Sequence, residues 1–438
     1  MSSLFLSLIF LSLSFLSCLS QHGPGIITTK LFHHHSIDSP YFRPNASKKD
    51  LADFDQESSI HRASLLVDNL QLTNVQFELT PTRRGGFYAK IGVGSKYVLQ
   101  TVYVDTGSTL FWINCQPCAF SIYMPEPIFD PRTSSTFAFD DCDGNICKGT
   151  RAISCGYDQT YNFRCEFVIE YADGSSCSGR VAREQFAFGE EVLQGIFFGC
   201  SYKTKLVDTS GILGLAEHSS SLLTQLGYRR FGYCIGDVAD MSYSYHKLFI
   251  GNSVTITGDK TSLIVDSKYY INVERIEVGG LLLDIDRDIF KKKDHTGGMV
   301  VDNGSPYTFM PLVAVKSFET ALIKMFTKAN FTINKLHSYR GYQKLCYDGD
   351  VKKDLDLQSF PPVKLTFEGG ATMELIAENV FHQVSESSFC LGTLPIEVIH
   401  EDATISILGF HMQQQFYVSF DLDRKEFAFT RMDCETWS

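Results

Sequence analysis

The chain has 438 residues, 44% of them apolar and 20% charged. That is a globular composition with room for two lobes and large cores. The net charge is −11 and no long basic run is present, so nucleic acid is not an expected partner. The acidity suits an enzyme that works in acid, where carboxylates lose charge, without requiring one.

Leu4 to Leu19 is the long apolar stretch. It is short for a membrane span, which argues against the competing reading of an anchor. Small residues at Cys18 and Ser20 fit a signal cleavage before Gln21, although the segment before it has no Lys or Arg. Residues 1–20 are therefore read as a signal peptide, with no membrane span after its removal and a secreted, apoplast-like or vacuolar destination. Thirteen cysteines include Cys18, so twelve would remain, and disulfides are their expected use in a secreted chain. Cys115-Gln-Pro-Cys118 is read as part of that framework rather than as a redox or zinc motif, since no second C-x-x-C with suitable spacing accompanies it.

Residues 21–78 come next. Lys and Arg number 5 against 6 Asp and Glu over residues 21–75, so this stretch does not look like a simple cationic mask. It holds five histidines, which would add positive charge below about pH 6.5. The run His33-His34-His35 is read as a solvated tract rather than a metal site. Ile60, Ala63, Leu65, Leu66 and Leu70 mark one face of a short helix over Ser59 to Leu70. Arg83-Arg84 is a candidate processing site, close to the first strand. Asn45-Ala-Ser47 and, far downstream, Asn330-Phe-Thr332 are glycosylation acceptors by pattern. Asn303-Gly-Ser305 also fits that pattern but is discounted, because it is expected to be buried.

From Phe87 onward short β-rich runs alternate with Gly, Asp, Asn and Ser, which predicts an all-β chain rather than repeated βαβ units. Helices are few, with candidates at Ser220 to Leu226 and Val313 to Lys328. The lobe boundary is placed between Asp259 and Tyr269, giving lobes at 79–262 and 263–438.

Two stretches organise this pattern. Thr101 to Cys115 reads T-V-Y-V-D-T-G-S-T-L-F-W-I-N-C. An apolar run enters an Asp-Thr-Gly turn and a second apolar run leaves it, which puts the Asp105 carboxylate at the tip of a buried hairpin. Met299 to Met310, M-V-V-D-N-G-S-P-Y-T-F-M, repeats the arrangement, with Asp302 lying 197 residues after Asp105. An Ile-Leu-Gly step follows each: Gly214 comes 109 residues after Asp105, and Gly409 comes 107 after Asp302. Two halves with one carboxylate each suggest an internal repeat about a pseudo-twofold axis. Two such loops meeting at the axis would bring the carboxylates together.

These two stretches, with Tyr171-Ala172-Asp173-Gly174-Ser175, Phe198-Gly199-Cys200, Tyr269-Tyr270-Ile271, Val278-Gly279-Gly280 and Gln413-Gln414-Gln415, resemble the pepsin-like aspartic peptidases. The nearest likeness is to their plant secreted, nepenthesin-like branch. The resemblance covers nearly the whole chain and implies a bilobal, mainly β fold with pseudo-twofold related lobes. It implies a prosegment at 21–78 that covers the cleft, entered through a histidine- and proline-containing stretch at 33–44. It also implies polypeptide substrates, a monomer and no cofactor or metal.

By the same resemblance Asp105 and Asp302 form a catalytic dyad. Gly107 and Gly304 allow the tight turns, and Ser108 and Ser305 bond the outer carboxylate oxygens. Thr106 donates across the axis to the backbone of the opposite loop. Tyr171 is the flap tyrosine, with Gly174 and Ser175 beside it, and Trp112 bonds to Tyr171. Three departures stand out. Asn303 replaces a hydroxyl residue, and its larger amide is expected to fit the buried loop less well at a cost of about 1–3 kcal/mol. Ala172 replaces a flap glycine, and Phe410 follows the second Ile-Leu-Gly. The implied activity is acid endopeptidase, with reduced activity through Asn303 as one consequence. The alternative is a catalytically weakened homologue that acts as a binding or inhibitor protein. A serine peptidase is disfavoured by the lack of G-x-S-x-G, and a zinc peptidase by the lack of H-E-x-x-H.

Overall fold

The computed structural model describes residues 25–68, 84–118, 126–144, 146–147, 153–158, 162–170, 176–204, 209–294, 296–335, 337–355 and 360–436. Among them strands predominate over helices. Both carboxylate hairpins have the predicted form, and they share a topology. Strand Val98–Asp105 runs parallel to Gly211–Gly214, with Gly214 opposite Asp105. Gly211–Gly214 in turn lies antiparallel to Trp112–Asn114. In the second half Met299–Val301 runs parallel to Ser406–Leu408, which lies antiparallel to Thr308–Met310. The Ile-Leu-Gly steps are thus the strands that thread between the two arms of each carboxylate hairpin. Their apolar side chains fill the core, while Gly214 leaves room for the loop carbonyls of Ser108 and Leu110, which an added Cβ would meet at 2.6 and 2.9 Å.

A six-stranded antiparallel sheet ties the two halves together. Its order is Asp259–Ser262, Glu426–Arg431, Phe416–Asp421, Arg230–Ile235, Lys247–Ile250 and Ile27–His33. The last strand comes from the N-terminal segment. Ile27 to Lys30 pair with this sheet, and Leu31 to His33 pair with Phe87 to Ala89 of the first half. Disulfides Cys115–Cys200 and Cys234–Cys434 pin the first hairpin and the C-terminal end, and Cys142–Cys155, Cys147–Cys165 and Cys346–Cys390 staple outer strands. Cys115 therefore bridges to Cys200 and not to its neighbour Cys118. Cys177 is buried and its thiol donates to Ser201 Oγ at 3.2 Å.

Three helices matter for the site. The first, α1, spans Lys48–Asp68, eleven residues earlier in its start than the periodicity predicts. A reciprocal cap sets that start. Ser47 N–H donates to Asp50 Oδ2 at 2.9 Å, and Asp50 N–H donates to Ser47 Oγ at 3.2 Å. The first turns mix charged residues with buried Ala52 and Phe54, and Ser58 to Ser64 adds Ser59, Ile60, Arg62 and Ala63, all buried. The second helix, α2, is Leu222–Gln225. The third, α3, is Leu312–Lys328, and both lie where the sequence places them. The α3 helix buries Val315, Phe318, Ala321, Leu322 and Phe326, a stripe at helical spacing.

The His33-His34-His35 tract is not solvated. All three rings are buried, because the strand that carries His33 is inserted into a sheet and the turn after it is roofed by α1. Arg84 is buried as well, its guanidinium 5.6 Å from the centre of the Tyr103 ring. In this conformation it is not an accessible cleavage site.

Candidate active site

Asp105 and Asp302 are both fully buried, each at the C-terminal end of the inner strand of its hairpin. A single side chain holds both. Arg62, from the middle of α1, reaches between the hairpins. Its Nε donates to Asp302 Oδ2 at 2.9 Å and its Nη2 to Asp302 Oδ1 at 2.8 Å. Its Nη1 donates to Asp105 Oδ2 at 3.0 Å, and Nη2 also contacts Asp105 Oδ1. The fork geometry of guanidinium matches two carboxylates at once. Sequence reasoning missed Arg62, since the near-equal charge count of its segment conceals where one cation points.

The surrounding groups favour the ionised form of the first carboxylate. Burial opposes ionisation of Asp105. Arg62, then Arg84, the Ser108 hydroxyl and the Gly107 amide outweigh it and hold the carboxyl below its ordinary range. Gly107 N–H donates to Asp105 Oδ1 at 2.8 Å, and the Ser108 hydroxyl donates to Oδ2. Ser305 differs from its expected role. Its hydroxyl donates to the Tyr307 carbonyl, two residues on, at 2.9 Å rather than to the Asp302 carboxylate. Burial likewise opposes the charged form of Arg62, yet Asp105 and Asp302 raise its pKa well above the ordinary value.

Gly107 and Gly304 do not adopt the left-handed backbone that would make glycine necessary for a turn. Their value here is close approach. A Cβ on Gly107 would overlap the Arg62 guanidinium, and one on Gly304 would lie 2.8 Å from the Tyr103 hydroxyl and 3.1 Å from Arg62 Nε. That Tyr103 hydroxyl sits 2.9 Å from the Gly304 carbonyl and 3.0 Å from the Gly85 carbonyl, with one proton to donate. It links the first strand, the second loop and the entry to the first lobe.

Thr106 and Asn303 meet across the axis. Thr106 N–H donates to Asn303 Oδ1 at 3.0 Å, and the Thr106 hydroxyl lies 3.1 Å from the same oxygen and 3.4 Å from the Val301 carbonyl. Asn303 N–H donates to Thr106 Oγ1 at 3.3 Å. The amide oxygen of Asn303 thus takes the accepting role of a hydroxyl, and the loop accommodates the larger side chain. The misfit is confined to Nδ2, which is buried without a hydrogen-bond partner among the described residues. Asn303→Ala would strip the acceptor from a buried N–H and is expected to destabilise the protein by about 1–3 kcal/mol. A lower denaturant midpoint at unchanged slope would show this, and an unchanged midpoint would show that the contact carries nothing.

Trp112 packs at 1% exposure with Leu110, Ile212 and Phe167. Its Nε1 has no partner among the described residues. Tyr171, Gly174 and Ser175 lie outside the described residues, so the flap assignments have no structural counterpart here. The second hairpin is braced from the C-terminal side. Gln413 Nε2 donates to the Leu408 carbonyl at 2.7 Å and to the Asp302 carbonyl at 3.2 Å. Among the described residues no group of three or more His, Cys, Asp or Glu is arranged to hold a metal ion.

Comparison with known proteins agrees with this geometry. Residues 87–252 match the family model described as xylanase inhibitor N-terminal, and residues 268–431 match that described as xylanase inhibitor C-terminal. A probable aspartic protease of Arabidopsis thaliana is 27% identical over 95% of this chain and 96% of its own length. The aspartic proteinase nepenthesin-1 of Nepenthes gracilis is 28% identical over 80% of this chain and 78% of its own. Among solved structures, that of edgp superposes with a TM-score of 0.67 at 15% identity, covering 94% of this chain and 96% of that one. Basic 7S globulin from soybean gives 0.61 at 17% identity, covering 79% and 93%. With the fold, the paired hairpins and these matches together, the chain belongs to the pepsin-like aspartic peptidase family of plants.

Proposed function

We propose that the chain is a secreted aspartic endopeptidase, stored in a latent form in which residues 21–78 act as its prosegment. The observation that carries this reading is the Arg62 guanidinium bonded to both Asp105 and Asp302. A cation in that position occupies the place where an activated water and a scissile carbonyl would have to sit. Once α1 withdraws, the two carboxylates lose their counterion. Two like charges so close do not both ionise easily, so they hold one proton between them. The monoprotonated pair can take a proton from the attacking water and return one to the leaving amine. Thr106 and Asn303 keep the two loops in register, and Ser108 with the Gly107 amide orients Asp105.

The test is hydrolysis of an unfolded protein by acid-treated enzyme between about pH 2.5 and 7, with and without pepstatin. Cleavage confined to acid pH and blocked by pepstatin is the expected result. A folded, processed chain that cleaves nothing would sink the reading. The orphaned Asn303 amide nitrogen and the inhibitor description of the matching family models favour a second reading, a binding protein of weakened activity. A persistent lack of cleavage after Asn303→Ser, together with tight capture of a purified glycan-degrading enzyme, would favour it.

A further inference from the structure

A cavity of about 210 Å³ lies where the N-terminal segment meets the second lobe and the Val238 to Met241 stretch of the first, remote in the sequence from the two carboxylate loops. Its walls include His33, His35 and Asp55 on one side and His382 and His411 on the other. The rings lie close together, the first pair edge to face and the second stacked. His33 and His35 have centroids 5.1 Å apart, and His382 and His411 are 5.5 Å apart. Both ring nitrogens of His33 and of His382, and Nε2 of His411, are buried without a hydrogen-bond partner among the described residues. Buried polar groups normally find partners, so this group of orphaned imidazoles on one seam calls for a reason.

The charges facing them cannot accommodate protonation. On the N-terminal segment the neighbours are His34, Asp53, Asp55 and Lys48. Asp55 already bonds His35 Nε2 at 2.9 Å, and Lys48 is shared with Asp350 and Glu386 at the rim. On the lobe side the facing groups are His246 of the first lobe and His337, Lys344, Lys352, Asp350 and Glu378 of the second. Lys344 is buried and bonds Gln56 of α1 at 2.8 Å. A single buried carboxylate, Asp55, therefore faces six buried imidazoles and a buried ammonium.

We infer that this histidine seam is a proton-driven latch on the N-terminal segment: neutral rings let it pack, and their protonation in mild acid pushes it off the second lobe and withdraws Arg62. This deepens the latency reading above and rests on it. The electrostatics agree in direction. Burial, then the neighbouring histidines, hold His33 well below the ordinary value, and burial with Lys344 does the same for His382. Burial brings His411 down to about 4, with Asp55 opposing and His35 assisting. A histidine whose docked pKa is depressed favours docking fully above about pH 6.5 and progressively less as pH falls towards the docked value. The Arg62 clasp follows a different law. The Asp105 carboxyl is depressed in the docked state, so the clasp weakens as the pH falls into the range where the freed pair would take up its shared proton.

The test is hydrogen exchange of the α1 amides in the full chain, corrected for intrinsic rates, from pH 7.5 to 3. The expected midpoint for loss of α1 protection lies between pH 6.5 and 4, and it falls by about one pH unit in His382→Phe/His411→Phe. Should that variant not fold, histidine ring titrations of the wild type by NMR decide the matter. His33, His382 and His411 should titrate together at the exchange midpoint. A midpoint below pH 4 that the variant leaves in place, or rings that titrate near 6.5 while α1 stays protected, would overturn the inference. Neither readout needs catalysis. A chain that opens as expected and cleaves nothing would retire the peptidase reading and leave the latch standing.

Discussion

Arg62→Ala is expected to abolish latency. Without acid treatment, the variant assayed at pH 6.5, at the upper edge of the opening range, should show most of the initial rate that it shows at the same pH after acid activation, whereas the wild type should show a small fraction of it. The Arg62 side chain is 5% exposed and the two carboxylates it joins are fully buried. Removing one partner of a buried ionic group leaves uncompensated charge and costs about 3–5 kcal/mol. Here the cost falls on the docked state alone, because withdrawal of α1 exposes the carboxylates to water. The closed-to-open ratio should therefore drop by roughly 10² to 5 × 10³-fold. Arg62→Lys keeps one charge but loses the fork, so it should sit between the two. The sign of the pH dependence follows from Asp105, whose carboxyl is held below its ordinary range. The difference between wild type and Arg62→Ala should be largest at neutral pH, shrink as the freed pair takes up its shared proton and vanish as the pH falls through the depressed docked value. Equal latency in wild type and Arg62→Ala would show that the rest of α1 blocks the site unaided.

This result also marks where the sequence is readable. Asp105 and Asp302 stand out because each sits between two apolar runs, and the Ile-Leu-Gly steps stand out because each is a buried strand threading its hairpin. Those are local patterns, and period and turn chemistry report them directly. Arg62 is bonded to groups 43 and 240 residues away, and nothing in its neighbours' composition encodes that contact. The histidine tract fails for a related reason. Three histidines in a row read as polar, yet strand pairing of Ile27 to His33 and the roof made by α1 bury them. The Ser305 hydroxyl shows the limit of pseudo-symmetry. Its counterpart Ser108 serves a carboxylate, whereas Ser305 serves the backbone carbonyl two residues on. Asn303 runs the other way. Its amide oxygen does the work expected of a hydroxyl, and only the spare nitrogen betrays the substitution.

Asp302→Asn should lower the hydrolysis rate of the acid-treated enzyme by about 10⁴-fold, the upper range for removing a positioned acid–base group. An amide can neither hold the shared proton nor give it up, so the remaining Asp105 would titrate as an isolated carboxyl. The same substitution should weaken latency. Asp302 accepts from Arg62 through both oxygens, at 2.9 and 2.8 Å. In the variant one of those atoms becomes an N–H donor facing a guanidinium that has only donors to offer. One of the two bonds is lost, and Arg62 keeps Asp105 as its only carboxylate. Hydrogen exchange of α1 at pH 7 should accordingly be faster in Asp302→Asn than in the wild type, though slower than in Arg62→Ala. The pair of readouts separates two roles that a rate alone would merge. If exchange rises while hydrolysis persists, Asp302 belongs to the clasp and not to the chemistry. If hydrolysis collapses while exchange is unmoved, the clasp rests on Asp105, and the bonds from Arg62 to the second carboxylate contribute little to holding the prosegment down.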